Sequence, residues 1–459
     1  MNDAVPALRA RVAGPVLTPG EEGYDAERAG FNSAVDDRPA VVVGATGPDD
    51  VRAAVAYARD AGLPVAVRST GHGAGVAADG AVLITTRRMT GVRVDPERGA
   101  ARVEAGVRWA EVAEAAAPYG LAPLSGSAPG VGVVGYTLGG GMPLLGRTYG
   151  WAADRVRAID VVTPDGRARH VTPGSEPDLF WALRGARDNF GVVTALDIEL
   201  LRLSTLWGGG LYLDASAPGR AAALTDAYRR WTGDVPEEMN SSLALVPLPD
   251  VPGLPEPLRG RYVAHIRIAF VGEPAAGERL VAPLRALGPL LIDSLAELPY
   301  TAAGSIHNDP PTPMPWNGDI ALLDGLEEAD VAAVTRLAGP EAPLPVITEL
   351  RHLGGALARP GAAPSAVGHR TAAWSLGVLS RVSPATEEVA GQAHRAVLDA
   401  VAPRTLGRFL TFMGSGRLAA PDAVRTAYEA GTYDRLGALK AAWDPGNTFR
   451  LGHPVTPGS

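Results

Sequence analysis

His72 stands in Arg68-Ser69-Thr70-Gly71-His72-Gly73-Ala74-Gly75, directly after an apolar run, Pro64 to Val67, that reads as a short strand. Such a turn presents an imidazole, nucleophilic when neutral, among residues that lack side chains. Glycine reaches positive φ and lets a ligand approach the backbone, and successive N–H groups in a turn of this kind cradle phosphate. Arg68, Ser69, Thr70, Gly71, His72, Gly73 and Gly75 are therefore candidates for holding a dinucleotide, its pyrophosphate on the loop and its ring system against His72. Taken alone, the stretch is as readily a glycine-rich turn carrying a surface histidine.

A second glycine cluster runs from Gly126 to Gly141 and contributes Gly130, Val131, Gly132, Gly135, Thr137, Leu138, Gly139, Gly140 and Gly141 as further candidates. It is followed in order by Tyr149-Gly150-Trp151-Ala152-Ala153-Asp154, a strand–turn–strand from Ile159 to Gly166, Pro177 to Gly185, and Asn189-Phe190-Gly191-Val192-Val193-Thr194. Near the end comes Trp443-Asp444-Pro445-Gly446-Asn447-Thr448-Phe449. This series resembles the PCMH-type FAD-binding domain of the vanillyl-alcohol-oxidase superfamily. Within it, the chain is similar to the berberine-bridge-enzyme-like branch of FAD-linked oxidases, as a bacterial member, and the Asp-Pro-x-Asn-x-Phe pattern matches that branch's closing segment.

The resemblance implies FAD, bound covalently through His72 at the flavin 8α-carbon. Many relatives add a second link through a cysteine in the second glycine loop, but the chain has no cysteine and Ala128 holds that place, so a cysteinyl link is excluded. The loop from Gly130 to Gly141 would lie along the ring, with Val131 and Val133 near the edge where oxygen reacts. Gly191, Val192 and Val193 would hold adenine and pyrophosphate by their backbone, and Asp154 and Asn447 complete the set.

A substrate that gives up hydride needs a base within hydrogen-bond reach. In the apolar run Val346 to Leu353, alternation puts Glu349 and Arg351 on one face of a strand. Glu349 aligns with a catalytic glutamate of relatives that oxidise polyketides and is the expected base, with Arg351 tuning its charge or binding an anionic group. The same two residues could equally form an ion pair that only orders the sheet. Phe409-Leu410-Thr411-Phe412 stands where many relatives carry Tyr-x-Asn-(Tyr/Phe), so Tyr428 or Tyr433 is the candidate substitute for the missing phenol, although each sits at helical spacing where an aromatic is more often simply packed.

The function implied is an FAD-dependent oxidase or oxygenase of a small, largely apolar metabolite, a polyketide-like secondary-metabolite intermediate, by base-assisted hydride transfer to flavin N5 with reoxidation by dioxygen. One alternative is a flavoprotein whose redox role has lapsed and which catalyses a cyclisation or binds a ligand. A further alternative, a sugar or oligosaccharide oxidase, is weakened by the loss of the Tyr-x-Asn pattern.

The 459 residues carry a formal charge of −8, with 46% hydrophobic and 20% charged residues, and their Lys and Arg are dispersed. That balance suits a globular enzyme and gives no footprint for nucleic acid. No His-x-x-x-His pair or His–carboxylate cluster has ligand spacing, so no metal site is expected. No apolar run reaches signal-peptide or membrane-spanning length, and the expected setting is a cytoplasmic monomer or homodimer whose partners are a small-molecule substrate and dioxygen.

The expected fold class is α+β, with a two-part FAD-binding domain and a substrate domain built on a large antiparallel sheet covered by helices on one face. Residues 1–205 read as the first part of the FAD-binding domain, 206–404 as the substrate domain and 405–459 as the return to the first. In the middle region, Leu206 to Leu213, Ser242 to Val246, Tyr262 to Phe270, Val346 to Leu353 and Ala372 to Leu379 read as strands. The proline-dense stretches Leu248 to Arg259 and Asp309 to Trp316 read as loops.

Overall fold

A computed structural model describes residues 4–73, 77–344, 346–414 and 420–458; Gly75 lies outside the described residues. Strands β1 (Val16–Leu17), β2 (Val41–Gly44), β3 (Val65–Arg68) and β4 (Val82–Thr85) form a four-stranded sheet in the order β1-β2-β4-β3. β2, β3 and β4 are parallel, and the crossover from β2 to β3 is the helix Pro48–Asp60. That helix begins at proline and buries Val51, Ala54, Val55 and Ala58, as their spacing requires. β3 delivers the chain directly into the Ser69–Gly73 turn.

A six-stranded antiparallel sheet follows, with β5 (Val92–Asp95), β6 (Ala100–Glu104), β10 (Val192–Arg202), β8 (Val156–Val162) and β9 (Ala168–Val171) in that order and β7 (Leu121–Pro123) paired to β10. The second glycine cluster lies between β7 and β8 and contains the short helix Val133–Leu138.

The middle of the chain forms one nine-stranded antiparallel sheet. Its path is β14 (Leu290–Asp293), β11 (Thr205–Asp214), β13 (Tyr262–Phe270), β12 (Met239–Pro247), β17 (Ile347–His352), β18 (Trp374–Arg381), β16 (Trp316–Leu323) and β19 (Thr405–Gly407), with β15 (Ala296–Pro299) beside β11. Alternate residues such as Leu243, Leu245, Ile266, Ile268, Leu350, Leu376 and Val378 point into one core with Leu224, Tyr228, Val281, Val331, Val334 and Val397 from four helices. Helices thus cover one face, and the period of two sends the intervening side chains to the other.

That second face meets the flavin-loop part through two apolar seams. One joins Leu124, Leu145 and Leu201 to Leu206, Ala269, Tyr300 and Ile306; the other joins Met142, Trp151 and Ala153 to Ile320, Leu322, Leu353 and Phe409.

The closing segment returns to the first core, where Leu436, Phe449 and Val455 pack with strands of the first two sheets. Its anchor is Lys440, whose ammonium donates to Asp444 (2.7 Å) and to the carbonyls of Asn189 (2.7 Å) and Phe449 (2.8 Å) with its side chain 0% exposed. Asp444 also accepts from the N–H groups of Thr448 and Phe449, and the Thr448 carbonyl accepts from Val65 N–H. Removing one member of a buried ion pair leaves the other without compensation. Lys440→Met is therefore expected to destabilise the protein by about 3–5 kcal/mol, read from its denaturant midpoint, whereas an unchanged midpoint would make the pair dispensable.

Candidate flavin and substrate site

The two glycine clusters meet at His72. A Cβ built on Gly130 would lie 4.0 Å from His72 Nε2, and one on Gly132 only 3.0 Å from Ser69 Oγ. The turn itself is fixed by a third glycine contact. Gly71 has φ +70°, and a Cβ there would come within 2.5 Å of Gly30 Cα, while Phe31 N–H and Asn32 N–H donate to the carbonyls of Thr70 and Gly71. Phe31 stacks on His72 with ring centroids 3.9 Å apart, and His72 Nδ1 pairs with Thr70 Oγ1 at 2.8 Å. Burial, assisted by Arg108, lowers the imidazole pKa to about 4, so the ring is neutral and keeps a free lone pair at neutral pH.

Among the described residues, Ser69 Oγ, Thr137 Oγ1, Tyr136 Oη and Asn447 Oδ1 are buried without a hydrogen-bond partner. Orphaned polar atoms on both loops and in the closing motif, beside backbones stripped of Cβ atoms, are what a bound group with many acceptors and donors would satisfy. The residues present fit FAD on that ground.

Several expected contacts fall elsewhere. The Arg68 guanidinium donates to the Asp37 carboxylate and the Arg28 carbonyl, so its charge is spent inside the protein. Arg187 is the guanidinium between the loops: a Cβ on Gly73 would lie 3.3 Å from its Nη2 and one on Gly139 3.4 Å from its Cγ, while its Nη1 pairs with His453 Nδ1 at 2.9 Å. Asp154 is bound at both oxygens by Arg370 and caps the Trp151 N–H, a structural role. Gly139, Gly140 and Gly141 make room for Thr411, Phe409 and Tyr136, respectively, and the Thr411 hydroxyl donates to the Gly139 carbonyl. Leu138 and Val133 are core residues, Val131 packs against the same core, and Gly135 lies within the short helix. Gly191, at φ +144°, faces the Val162 carbonyl, where a Cβ would meet it at 2.4 Å, and Val192 and Val193 are buried strand residues paired with Val162 and Val161. Any ligand contact they make is through backbone.

Tyr428 is corrected as a base. It is packed in the first core, its hydroxyl donates to the Gly185 carbonyl (3.0 Å), and burial raises its pKa, so it offers the cleft no proton acceptor. Tyr433 sits beside it with ring centroids 6.1 Å apart.

Glu349 and Arg351 do share the open face of the large sheet. The central strand β12 places the small Ser242 and Ala244 between β13 and β17, pairing Ser242 with both Arg267 and Arg351 and Ala244 with both His265 and Glu349. Long side chains from the flanking strands therefore cross over β12. Arg267 Nη1 donates to Glu349 Oε1 (2.6 Å), Arg351 Nε donates to Oε2 (2.9 Å), and Ser242 Oγ donates to Oε1 (3.2 Å). His307 Nδ1 lies 3.7 Å from the same carboxylate. Burial acts to raise the Glu349 pKa, but the two guanidiniums overcome it and hold the group below the ordinary carboxylate range. His265 and His307 are kept neutral by burial and by the neighbouring arginines.

This charged patch opens onto a cavity walled on the flavin-loop side by Met142, Leu144 and Arg147 and on the sheet side by Ser242, Arg267 and Arg351. Arg351 also lies over the Phe412 ring at 5.5 Å, next to Thr411, which contacts Gly139. Arg267, His307, Tyr136, Arg187 and Phe31 were not singled out from sequence. Tyr136 alone had a local signal, lying between Gly135 and Thr137.

Residues 39–172 match the family model described as an FAD binding domain, and residues 411–456 match the one described as berberine and berberine like. The fold and these matches define the class: the chain is an FAD-linked oxidoreductase of berberine-like architecture. It is 28% identical to (R)-6-hydroxynicotine oxidase of Paenarthrobacter nicotinovorans over 97% of each chain. The crystal structure of 6-hydroxy-D-nicotine oxidase from Arthrobacter nicotinovorans superposes with a TM-score of 0.84 at 25% identity, covering 97% of this chain and 98% of that one. Glucooligosaccharide oxidase from Acremonium strictum, whose structure concerns a 6-S-cysteinyl, 8α-N1-histidyl FAD, superposes at 0.83 with 20% identity over 99% of each chain. Among the described residues, no helix is long and apolar enough to cross a membrane.

Gly71→Ala tests the construction of the turn. A side chain at that φ with backbone 2.5 Å away has to displace the Gly30 segment. The left-handed conformation alone costs about 1–2 kcal/mol, so the variant should lose both thermal stability and flavin content. Retention of both would show that the close approach is not needed.

Proposed function

We propose that the protein is an FAD-dependent oxidase of a small, largely apolar metabolite of polyketide-like character, with FAD joined to His72 alone and dioxygen as the final acceptor. The observation that carries this reading is the convergence of His72, neutral and stacked on Phe31, with Gly130 of the second loop, beside a Ser69 hydroxyl that faces Gly132 and has no partner among the described residues. When bound, FAD supplies a two-electron acceptor that dioxygen can reoxidise.

Ser69, Thr137 and Asn447 would satisfy polar atoms of the cofactor, Arg187 would offset its phosphate charge, and His72 provides the nucleophilic nitrogen for the tether. Glu349 accepts the substrate proton at its carboxylate. Because Arg267 and Arg351 lower its basicity, it suits removal of an already acidic O–H or C–H proton better than that of a simple alcohol. His307 and Ser242 fix the carboxylate's direction, and the apolar seams on either side limit water.

The mass of the denatured chain should exceed the sequence mass by one FAD, and the increment should vanish in His72→Ala; a wild-type chain at its bare mass would refute the tether. Glu349→Gln is expected to keep its flavin absorbance while losing about 10²–10⁴-fold in substrate-dependent peroxide formation. Undiminished turnover would remove Glu349 as the base.

A further inference from the structure

Three guanidiniums line the cavity and, among the described residues, no carboxylate does. Glu349 consumes one N–H of Arg267 and one of Arg351, and the remaining Arg267 nitrogen outside this pair and His265, together with both terminal nitrogens of Arg351, has no hydrogen-bond partner among the described residues. A third guanidinium, Arg147, also lines the cavity, and its side chain donates only to neutral groups: the carbonyls of Met239, Leu353 and Pro236 and the His352 ring. Against these three cations stand Glu349, Glu237, which acts on Arg147 but is itself paired with Arg359, and, at longer range from Arg351, Asp309, whose carboxylate already accepts from Ser127. His265, His307 and His352 add no negative charge.

Burying guanidinium groups without full compensation is costly, and the planar fork of free N–H donors on Arg351 matches a carboxylate. Met142, Leu144, Leu353 and Leu357 supply an apolar wall to the same cavity.

We propose that the cleft takes a substrate that bears a carboxylate, held by the unpaired ends of Arg351 and Arg267, with its apolar body along Met142, Leu144 and Leu353. This rests on reading the cavity as the substrate site of the FAD-linked oxidase and narrows its substrate class. The arrangement also couples binding to chemistry. An anion seated on the two arginines cancels part of the field that depresses Glu349, so the base becomes stronger when substrate is in place.

Calorimetric titration of the purified holoenzyme with benzoate, phenylacetate and 3-phenylpropionate, each beside its primary amide, tests the proposal. At least one acid should bind about tenfold or more tightly than its amide, and Arg351→Gln should remove that preference. If Arg351→Gln does not fold, Arg351→Lys keeps the charge but loses the fork and should weaken the acid alone. Amides binding as well as acids, no binding of any acid, or unchanged preference in the folded variant would each overturn the proposal. Flavin absorbance of the same samples separates the two readings. Bound flavin without acid preference sinks the carboxylate site alone, and acid preference without flavin sinks the oxidase reading while leaving the anion site in place.

Discussion

Everything at this site depends on backbones coming closer than side chains allow. Gly71 against Gly30, Gly130 against His72 and Gly132 against Ser69 are approaches at or inside ordinary Cβ contact. Their consequence is a close junction of the two loops, peptide groups beside an imidazole stacked on Phe31, that would form the slot for a bound FAD. A wall of that kind presents N–H donors without the entropy of long side chains, which suits a large, flat, polar cofactor. It also restricts what can replace Gly71. Where φ is positive and the facing atom is backbone, neither partner can rotate away.

The slot would be useless without a second surface, and the large sheet supplies it by division of labour between its faces. One face is a hydrocarbon core shared with four helices. On the other face, small residues on β12 let the arginine of β13 reach the glutamate of β17. The ion pair that results leaves guanidinium donors over on Arg267 and Arg351, which the proposed carboxylate would satisfy. The apolar seams hold this face against the segment that follows the second glycine cluster.

Much of this was legible in the sequence. The strand Tyr262–Phe270 has the same limits in sequence and structure, the helix Pro48–Asp60 follows its proline and its spacing, and the Glu349–Arg351 face follows from alternation alone. What was not legible depends on register between distant strands. Nothing local marks Arg267 as the partner of Glu349, because that contact exists only once β12 and β13 pair at Ser242. Arg68 and Asp154 show the complementary effect. Each has the right type at the right place, yet Asp37 and Arg370, remote in sequence, claim them first. The short strands Leu290–Asp293, Ala296–Pro299 and Thr405–Gly407 carry no clear alternation and are defined by the neighbour they extend.

The glycine slot and the charged sheet lie in different stretches of the chain, so their relative position must be held by something other than covalent sequence. The closing segment does this from beneath. Lys440 and Asp444 tie its helix to the Asn189 turn and to Phe449, Asn189 in turn bonds His453 and Val455, and the Thr448 carbonyl takes the Val65 N–H at the root of the His72 strand. From its other end, Thr411 reaches Gly139, and Phe412 lies under Arg351. One returning stretch therefore touches the root of the first loop, the end of the second and the substrate-side arginine. The buried Lys440–Asp444 pair therefore contributes to the relative placement of the glycine loops and the charged sheet as well as to stability.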